Sequence, residues 1–436
     1  MNARQTAFAV LRRMEEGEGY SNLVLDAALK TAGLSAADAA FASACVYGVL
    51  ERRLTLDYLL DALSDRRRPS PRVRTALRLG AYQILYMDRV PDSAAVNETV
   101  ALLKKEQPSA AGFANAVLRR LSAEKVSRLR FDGLPERERL SLECSAPLWL
   151  VENLSSDYGA EATSAFLRAS LAPPPVYLRV NTLRTTAGEL SAALEREGRT
   201  ASPTLLPDAL RLDRPGDLQG SRLFQEGLFY VEDLASQLCV EALDPRPGER
   251  LLDLCAAPGG KSFAAALRMQ NQGEVLACDL HAHRCRLIEA GRDRLGLSCI
   301  ETRQHDAASG PPEGGFDRVL CDVPCSGFGI IRRKPEIKYK DPDSLKGLPA
   351  LQLSILESGS AAVRPGGRLV YSTCTLRRSE NQRVAARFLA AHPAFEAVPV
   401  SLPGVESATA DGCLTLTGLQ DTDGFFVAAF RRKETI

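Results

Sequence analysis

The sequence predicts a multidomain protein in which an all-α N-terminal domain precedes a small α+β connector module and a C-terminal α/β domain. Three observations predict this class. The chain has 436 residues, more than one hydrophobic core usually organises. Apolar residues recur at helical spacing through about the first 125 residues, without an alternating strand pattern. Beyond about residue 240, strand-like apolar runs alternate with helical patterns.

The composition is that of a soluble globular protein, with 45% hydrophobic and 25% charged residues and a formal net charge of +1. Charges interrupt every apolar run near the N-terminus, so neither a secretory signal nor a membrane span is expected and the predicted location is the cytoplasm. The 11 cysteines then indicate reduced thiols. No Cys-x-x-Cys pair occurs, and the four histidines do not combine with cysteines at zinc-site spacing, so no metal is expected.

The N-terminal region combines helical periodicity with clustered basic residues. Ala7, Val10, Leu11 and Met14 follow the i, i+3, i+4, i+7 spacing of a helix, and Gly80 lies in a second such pattern, where it would let another helix approach closely. The basic residues suit nucleic-acid phosphates, with solvated helix faces as an equal alternative. They are Arg52, Arg53, Arg66, Arg67, Arg68, Arg72, Arg74, Arg78, Lys104, Lys105, Arg119 and Arg120.

The connector is predicted to mix one helix with short strands. The helix runs from Leu140 to Tyr158, and the strands lie in PPPVYLRVNTLR at 173–184 and LRLDRP at 210–215. Proline-rich and glycine-rich stretches at 202–210 and 215–227 indicate turns.

The C-terminal region reads as successive βα units, which predict a doubly wound, mainly parallel sheet whose ligands bind at the carboxyl ends of the strands. The pattern predicts six strands, a further strand-like stretch and three helices. The strands are 250–256, 274–280, 317–322, 367–373, 413–418 and 424–430, with a strand-like stretch at 300–306, and the helices are 261–269, 284–295 and 351–363.

The stretch LLDLCAAPGGKS, residues 251–262, ends like a phosphate-binding P-loop but does not fit one. Cys255 occupies the position where a P-loop needs glycine, and Pro258 has no N–H to offer a phosphate. The stretch also lacks the spaced glycines of a dinucleotide fingerprint, which disfavours NAD. A smaller nucleoside ligand without pyrophosphate fits better.

Three aspartates follow predicted strands: Asp279, Asp306 and Asp322. Each alone is more often a helix N-cap. As a set after a Gly-Gly turn they favour an adenosine-containing ligand, because an acid at the end of the second strand accepts hydrogen bonds from a ribose.

Two cysteines lie at strand mouths, Cys325 in CDVPCSGFG and Cys374 in VYSTCTL. Either alone could be ordinary packing, but two facing one ligand indicate thiolate chemistry. Carbon 5 of a pyrimidine is too weak a nucleophile to take a methyl group unaided. A thiolate that adds to carbon 6 makes carbon 5 nucleophilic, an acid at ring N3 stabilises the displaced charge, and a second group helps to release the product.

These residues also resemble a known family. LLDLCAAPGGKS, the stretch DVPCSGFGIIRRKPEIK from Asp322 to Lys338, and VYSTCTL are similar to the motifs of RNA cytosine-C5 methyltransferases that use S-adenosylmethionine. VYGVLERRLTLDYLL, RLGAYQILYMDRVPDSAAVNETVALLKK and GFANAVLRRL resemble a NusB-like RNA-binding domain. The combination resembles, from end to end, bacterial enzymes that act on 16S ribosomal RNA. It implies a NusB-like domain at 1–128, an RNA-binding extension at 129–232 and a Rossmann-like class I methyltransferase domain at 233–433.

The resemblance implies a role for each matching residue. Cys374 would be the nucleophile, Cys325 would help to release the product, and Asp322 would hold the base at N3 near the methylated end of the cofactor. Asp279 would bind the ribose and Asp306 the adenine edge. The methionine portion would be held by the loop Cys255, Ala256, Ala257, Pro258, Gly259, Gly260 and Lys261.

Several alternatives stay open at this point. A methyltransferase acting on an exocyclic amine would carry Asp/Asn-Pro-Pro-aromatic, where this chain has Asp322-Val323-Pro324-Cys325. Others are a cytosine-C5 methyltransferase acting on another RNA such as tRNA, and an RNA-binding factor with an inert catalytic domain. The chain departs from the family at Val323, Phe328 and Thr375, of which Phe328 would add bulk near the base pocket. The expected partner is 16S ribosomal RNA, with no membrane and no metal, and the expected state is a monomer.

Overall fold

A computed structural model describes residues 1–17, 19–64, 68–128, 131–213, 215–405, 412–418 and 422–434. The chain forms two compact units. Unit 1 comprises Met1–Ala172 together with Ile331–Lys340, and unit 2 comprises Pro173–Ile330 together with Asp341–Ile436. Unit 1 therefore includes a short segment from the C-terminal half of the chain. The domain limits at 128, 232 and 433 remain predictions.

Unit 1 is helical, as its periodicity predicts. Side chains at the starts of three of the helices cap them: Asn2 and Gln5 form a capping box, and Ser35 and Ser70 accept hydrogen bonds from the first turns that follow them. The helices are α1 (Ala3–Glu15), α2 (Ser21–Ala32), α3 (Ala36–Glu51), α4 (Arg53–Leu63), α5 (Pro71–Tyr86), α6 (Asp92–Glu106), α7 (Ala111–Arg128), α8 (Glu136–Glu143), α9 (Leu148–Tyr158) and α10 (Ala160–Ala169).

The single helix predicted from Leu140 to Tyr158 is wrong, because the structure has α8 and α9 there. Ser145 adopts a left-handed conformation with φ of 49°, and Pro147 is the N-cap of α9. Proline disfavours helical backbone in the residue before it, so the chain turns between the two helices.

Glycines let the helices of unit 1 approach closely, as expected for Gly80. A Cβ atom at Gly80 would lie 2.7 Å from Thr99 Oγ1 on α6 and 2.8 Å from Leu118 on α7. At Gly48 on α3, a Cβ atom would lie 1.8 Å from the ring of Tyr82 on α5. These contacts leave no room for a side chain at either position.

Four of the predicted basic residues lie half-buried or buried within unit 1: Arg52, Arg53, Arg74 and Arg78. Arg78 is 8% exposed, donates two hydrogen bonds of 2.7 Å to Asp57 and pairs with Glu15. Arg74 pairs with Asp61 and Asp57. The side chains of this set that lie exposed are Arg68, Arg72, Lys104, Lys105, Arg119 and Arg120, whereas Arg66 and Arg67 lie outside the described residues.

Unit 2 begins with a four-stranded antiparallel sheet of order β2-β3-β1-β4. The predicted strands at 173–184 and 210–215 are confirmed as β1 and β3. The two predicted turn regions contain turns at 207–208, 219–220 and 226–227, and also include part of β2 and all of α12. The elements are β1 (Val176–Val180), α11 (Ala187–Arg196), β2 (Ala201–Pro203), β3 (Ala209–Leu212), α12 (Arg222–Gln225) and β4 (Phe229–Val231).

An eight-stranded mixed sheet follows, with the order β10-β12-β9-β8-β5-β6-β7 and β11 paired to β12. The pairs among β5–β9 are parallel, and β12 is antiparallel to β9. The elements are α13 (Leu234–Leu243), β5 (Arg250–Asp253), α14 (Gly260–Arg268), β6 (Glu274–Asp279), α15 (Ala282–Leu295), β7 (Ile300–Gln304), β8 (Phe316–Asp322), α16 (Leu348–Ala362), β9 (Val363–Thr373), α17 (Gln382–Ala391), β10 (Phe395–Ala397), β11 (Cys413–Thr417) and β12 (Gly424–Arg432).

The order of the strands places the site. The chain proceeds from β5 through β6 to β7 on one side, then returns to place β8 on the other side of β5. Such a reversal leaves a crevice at the carboxyl ends of the strands, where ligands of α/β sheets bind. Asp253, Asp279 and Asp322 are the last residues of β5, β6 and β8, so three carboxylates are directed to this edge.

Candidate active site

The loop between β5 and α14 is held by backbone hydrogen bonds. The N–H of Ala256 donates to Cys278 O on β6, and the N–H of Gly259 donates to Ala256 O, both at 2.8 Å. Gly259 has φ of 115°, and a Cβ atom there would lie 2.3 Å from Phe263. A side chain at this position would therefore strain the backbone and clash, which explains the glycine at the turn.

Asp253, which precedes this loop, is a buried carboxyl group with spare hydrogen-bonding capacity. It is 1% exposed, and Ser262 Oγ donates to its Oδ2 atom at 2.7 Å. Its Oδ1 atom has no partner of normal geometry among the described residues. Burial raises the pKa of Asp253 to about 7. A buried acceptor without a partner suits a ligand that brings a hydrogen-bond donor.

Asp279 and Asp306, predicted to bind a nucleoside, have different surroundings. Asp279 is 3% exposed and pairs with Arg284 at 3.1 Å. Arg284 also donates to Ala257 O at 2.8 Å, so this arginine connects the end of β6 to the loop. Asp306 is exposed and accepts a hydrogen bond from the N–H of Ala308 at 3.0 Å, as an N-cap does.

Asp322 is held from two sides. Lys261 Nζ lies 2.8 Å from its Oδ2 atom, and Ser372 Oγ donates to its Oδ1 atom at 2.7 Å. Burial works to lower the pKa of Lys261, but the charge of Asp322 raises it above its ordinary value. The lysine of the loop is thus an ion-pair partner of Asp322.

The two predicted cysteines come together. Cys325 Sγ and Cys374 Sγ lie 3.3 Å apart, although 49 positions separate them in the chain. The hydrogen bond with Cys374, together with burial, raises the pKa of Cys325 well above its ordinary value. Cys325 therefore keeps its proton at neutral pH and can share it with Cys374.

A buried polar network holds the loops that carry these thiols. Glu380, with 0% exposure, accepts hydrogen bonds from the N–H of Ser326 at 2.8 Å and from Gln352 at 2.9 Å. The hydroxyl groups of Ser326 and Thr375 lie 2.8 Å apart, which links the residues that follow the two cysteines. The network fixes both loops relative to one another.

Tight backbone packing adds to this network. The N–H of Gly329 donates to Cys374 O at 2.9 Å, and a Cβ atom at Gly329 would lie 1.8 Å from Gly424 O on β12. Phe328, expected to add bulk near the base pocket, is completely buried. Its effect on the choice of base stays a prediction.

Sequence reasoning did not single out several residues that the structure places in the site. Asp253 is the last residue of β5, as Asp279 is of β6, and this shared position could have identified Asp253 as a candidate site residue from the sequence. Glu380 and Asn381 follow Cys374 closely in the chain, and Asn381 donates to Thr375 O at 2.8 Å. No local pattern marks Ser372 or Gln352, since each acts through a contact distant in sequence.

The fold and the site define a class I methyltransferase. Its marks are the doubly wound sheet with antiparallel β12, a glycine turn after β5, and acids at the ends of the neighbouring strands. Among the described residues there is no group of three or more His, Cys, Asp or Glu side chains suited to a metal ion. Within the described ranges of the chain, no helix is long and apolar enough to cross a membrane.

Comparisons with known proteins give the family. Residues 240–431 match the model described as 16S rRNA methyltransferase RsmB/F, residues 1–123 match the NusB family, and residues 146–219 match the ferredoxin-like domain of RsmF/B-like methyltransferases. The probable ribosomal RNA small subunit methyltransferase B of Bacillus subtilis is 39% identical, over 99% of each chain. That of Synechocystis is 35% identical, over 99% of this chain and 100% of its own.

A solved structure agrees along the whole chain. The crystal structure of PH0851 is 26% identical, with a TM-score of 0.85 over 99% of each chain. The chain therefore belongs to the 16S rRNA methyltransferase RsmB/F family and is an S-adenosylmethionine-dependent methyltransferase. An RNA-binding factor with an inert catalytic domain and a P-loop or NAD-binding protein are thereby set aside.

The residues present fit S-adenosylmethionine. The unpartnered Oδ1 atom of Asp253 can accept a hydrogen bond from the methionine portion, beside the loop from Cys255 to Lys261. Asp279 at the end of β6 is placed where a ribose is bound in open α/β sheets. The individual cofactor contacts remain predictions.

Proposed function

We propose that this protein methylates carbon 5 of a specific cytidine in 16S ribosomal RNA through a covalent bond between Cys374 and the base. The observation that carries the proposal is the 3.3 Å approach of Cys374 Sγ to Cys325 Sγ, at the edge of the sheet where Asp322 ends β8. A methyltransferase that modifies an exocyclic amine has no use for paired thiols there.

The first step forms a bond between Cys374 Sγ and carbon 6 of the cytosine. Asp322 takes up the thiol proton of Cys374, the π electrons of the C5–C6 double bond move through the ring to N3, and Asp322 passes the proton to N3. Carbon 5 becomes nucleophilic. S-adenosylmethionine would supply the methyl group, which carbon 5 takes up as the bond between that methyl group and the sulfonium sulfur breaks, leaving S-adenosylhomocysteine.

The second step releases the product. A base removes the proton from carbon 5, the double bond re-forms, and the bond between Cys374 and carbon 6 breaks. We assign this release to Cys325, whose sulfur lies next to that of Cys374. Because its raised pKa leaves Cys325 protonated at rest, Cys325 gives its proton to the sulfur of Cys374 as that sulfur leaves carbon 6, and takes the proton of carbon 5 in its place. Asp322 takes back the proton of N3.

The exposed basic side chains of unit 1 support an RNA partner. Arg68, Arg72, Lys104, Lys105, Arg119 and Arg120 offer charges to phosphates, and the homologous relatives are named for ribosomal RNA of the small subunit. We further propose that the enzyme acts in the cytoplasm as a monomer, without a metal.

Cysteine variants test the proposal. Cys374→Ala should abolish methyl transfer while S-adenosylmethionine still binds, and Cys325→Ala should trap a protein–RNA complex that resists denaturation on a gel. Cys299→Ala is the matched control, since Cys299 is also a half-buried thiol of unit 2. Full activity of Cys374→Ala contradicts the mechanism.

Bisulfite sequencing of 16S ribosomal RNA from a deletion strain identifies the target cytidine. Loss of a 5-methylcytidine from tRNA instead would show that tRNA is the substrate.

A further inference from the structure

The segment Ile331–Lys340, here called the anchor segment, belongs to unit 1 although it follows directly on the Cys325 loop. Ile331, Ile337 and Lys338 are 2%, 3% and 1% exposed. The segment forms a short 3₁₀ helix over Pro335–Tyr339. It is therefore packed into the helical unit as an internal part of it.

Glu336, in the second half of the anchor segment, caps a helix start. Glu336 Oε1 accepts hydrogen bonds from the N–H of Ser21 at 3.1 Å and from its hydroxyl group at 2.8 Å. Ser21 is the first residue of α2, whose own N-cap residue, Tyr20, makes no side-chain cap. A carboxylate at a helix N-terminus satisfies a free N–H and meets the positive end of the helix dipole.

Lys338, two residues further on, caps two helix ends with a single ammonium group. Lys338 Nζ donates to Glu51 O, the last residue of α3, at 2.8 Å and to Cys144 O, the C-cap of α8, at 3.2 Å. A cation at helix C-termini is the counterpart of the carboxylate at α2. Lys338 is 1% exposed, and this burial lowers the pKa of its ammonium group to about 8.

Tyr339 completes the attachment. Its hydroxyl group lies 2.9 Å from Ser145 Oγ, and the guanidinium group of Arg53 lies 5.2 Å from the centre of its ring. Three neighbouring side chains of the anchor segment thus bind the ends of α2, α3 and α8.

We propose that the anchor segment is a positioning element for Cys325. The chain leaves unit 2 after Ile330, five residues beyond Cys325, and is fixed in unit 1 farther along, by Glu336 and Lys338. The anchoring thereby fixes the chain that continues from the loop whose upstream end is β8. The inference rests on the proposed function of Cys325 for its catalytic consequence, whereas the anchoring itself does not depend on that function.

The test uses the full-length protein with Lys338→Met, and with Lys346→Met as matched control, because Lys346 is an exposed lysine whose partner is Asp343. Timed alkylation with iodoacetamide, read by mass spectrometry, reports the accessibility of Cys325 against Cys299 on the same chain. We expect Lys338→Met to raise the alkylation rate of Cys325 about fivefold and to leave Cys299 unchanged. Unchanged alkylation of Cys325 overturns the inference.

The catalytic arm compares Lys338→Met with Cys325→Ala. We expect both to accumulate a denaturation-resistant RNA complex while the Kd for S-adenosylmethionine stays within about twofold of wild type, a pattern that general loss of stability does not produce. If alkylation rises but neither variant traps RNA, the anchoring stands and the role proposed for Cys325 fails. If Cys325→Ala alone traps RNA, the positioning role of the anchor segment is overturned. Should Lys338→Met fail to fold, Glu336→Ala removes only the cap on α2 and serves in the same tests.

Discussion

Lys261 Nζ lies 2.8 Å from Asp322 Oδ2, so an ion pair joins the loop after β5 to the carboxylate at the end of β8. Both side chains are largely enclosed, at 12% and 27% exposure. The lysine that made the loop resemble a P-loop therefore serves the acid proposed to hold the base. Its position explains why a lysine follows the Gly-Gly turn in a loop that lacks the first glycine of a P-loop.

Replacing Lys261 with methionine should slow methyl transfer more than it weakens cofactor binding. Without the ammonium group, Asp322 loses the charge that orients and stabilises it, and we expect kcat to fall by about 10–100-fold. Single-turnover methylation and calorimetric titration with S-adenosylmethionine measure the two effects, with Lys346→Met as control. A normal rate of methyl transfer together with weaker binding of S-adenosylmethionine would show that Lys261 contacts the cofactor and does not act through Asp322.

Glu232 should make the stability of unit 2 depend on pH. It is 8% exposed beside Tyr230 and Lys261, and burial raises its pKa to about 7. Because the folded state binds the proton of Glu232 more tightly, protonated Glu232 adds to the free energy of unfolding below about pH 4.5. This contribution falls between about pH 4.5 and pH 7 and is absent at higher pH.

Glu232→Gln keeps the shape of the protonated side chain, so it should remove this decline and raise stability at pH 8 by roughly 3 kcal/mol. Urea unfolding of wild type and Glu232→Gln between pH 4 and pH 8 measures the free energy of unfolding of each. The control is Glu226→Gln, an exposed carboxylate paired with Arg222. A decline of equal steepness in wild type and Glu232→Gln would assign the effect to other groups, with Asp253 the first of them.

Gly329→Ala should damage the Cys374 site. The added methyl group would lie 1.8 Å from Gly424 O and 2.8 Å from Cys374 O, both of them backbone atoms. We expect the unfolding free energy to fall by about 1–3 kcal/mol and adduct formation to slow. Gly347→Ala is the matched control, because a Cβ atom there meets nothing within 4 Å. Equal activity of the two variants would show that the approach of Gly329 to Gly424 does not matter for the nucleophile.

Reversing exposed charges on α7 should weaken RNA binding and its dependence on salt. Arg119→Glu with Arg120→Glu is expected to reduce the slope of log K against log salt by about 1 for each phosphate that the protein no longer neutralises. Filter binding at several salt concentrations measures the slope, with exposed Arg222→Glu as the control. An unchanged slope would show that Arg119 and Arg120 lie on a solvated helix face and do not contact phosphates.

Arg78→Ala should instead destabilise unit 1 by about 3 kcal/mol, because it leaves Asp57 and Glu15 without their buried partner. Thermal unfolding distinguishes this loss from a change in RNA affinity. A loss of thermal stability identifies basic residues that stabilise unit 1, whereas a loss of RNA affinity identifies those whose exposed charges bind RNA.

The order of βα units and the strand-end positions of the candidate site residues were predictable from the sequence. The βα units follow from apolar runs of alternating length and period, which are local properties, and Cys325, Cys374, Asp279 and Asp322 were located because strand ends are visible in the pattern. The helix predicted from 140 to 158 failed because Pro147 outweighs a continuous apolar period. The basic residues were predicted to face either nucleic-acid phosphates or solvent, yet Arg74 and Arg78 pair with acids on other helices.

The sequence by itself indicated the ends of β6, β8 and β9, because the hydrophobic period and the turn residues are local properties of the chain, but it extended β5 to residue 256 and so missed Asp253 as its last residue. Tertiary structure alone decided which residues meet: Cys325 with Cys374, Lys261 with Asp322, and Lys338 with the ends of α3 and α8. Each of these contacts joins residues tens to hundreds of positions apart. Their pairing depends on strand order and helix packing, which the whole core sets and no local pattern encodes.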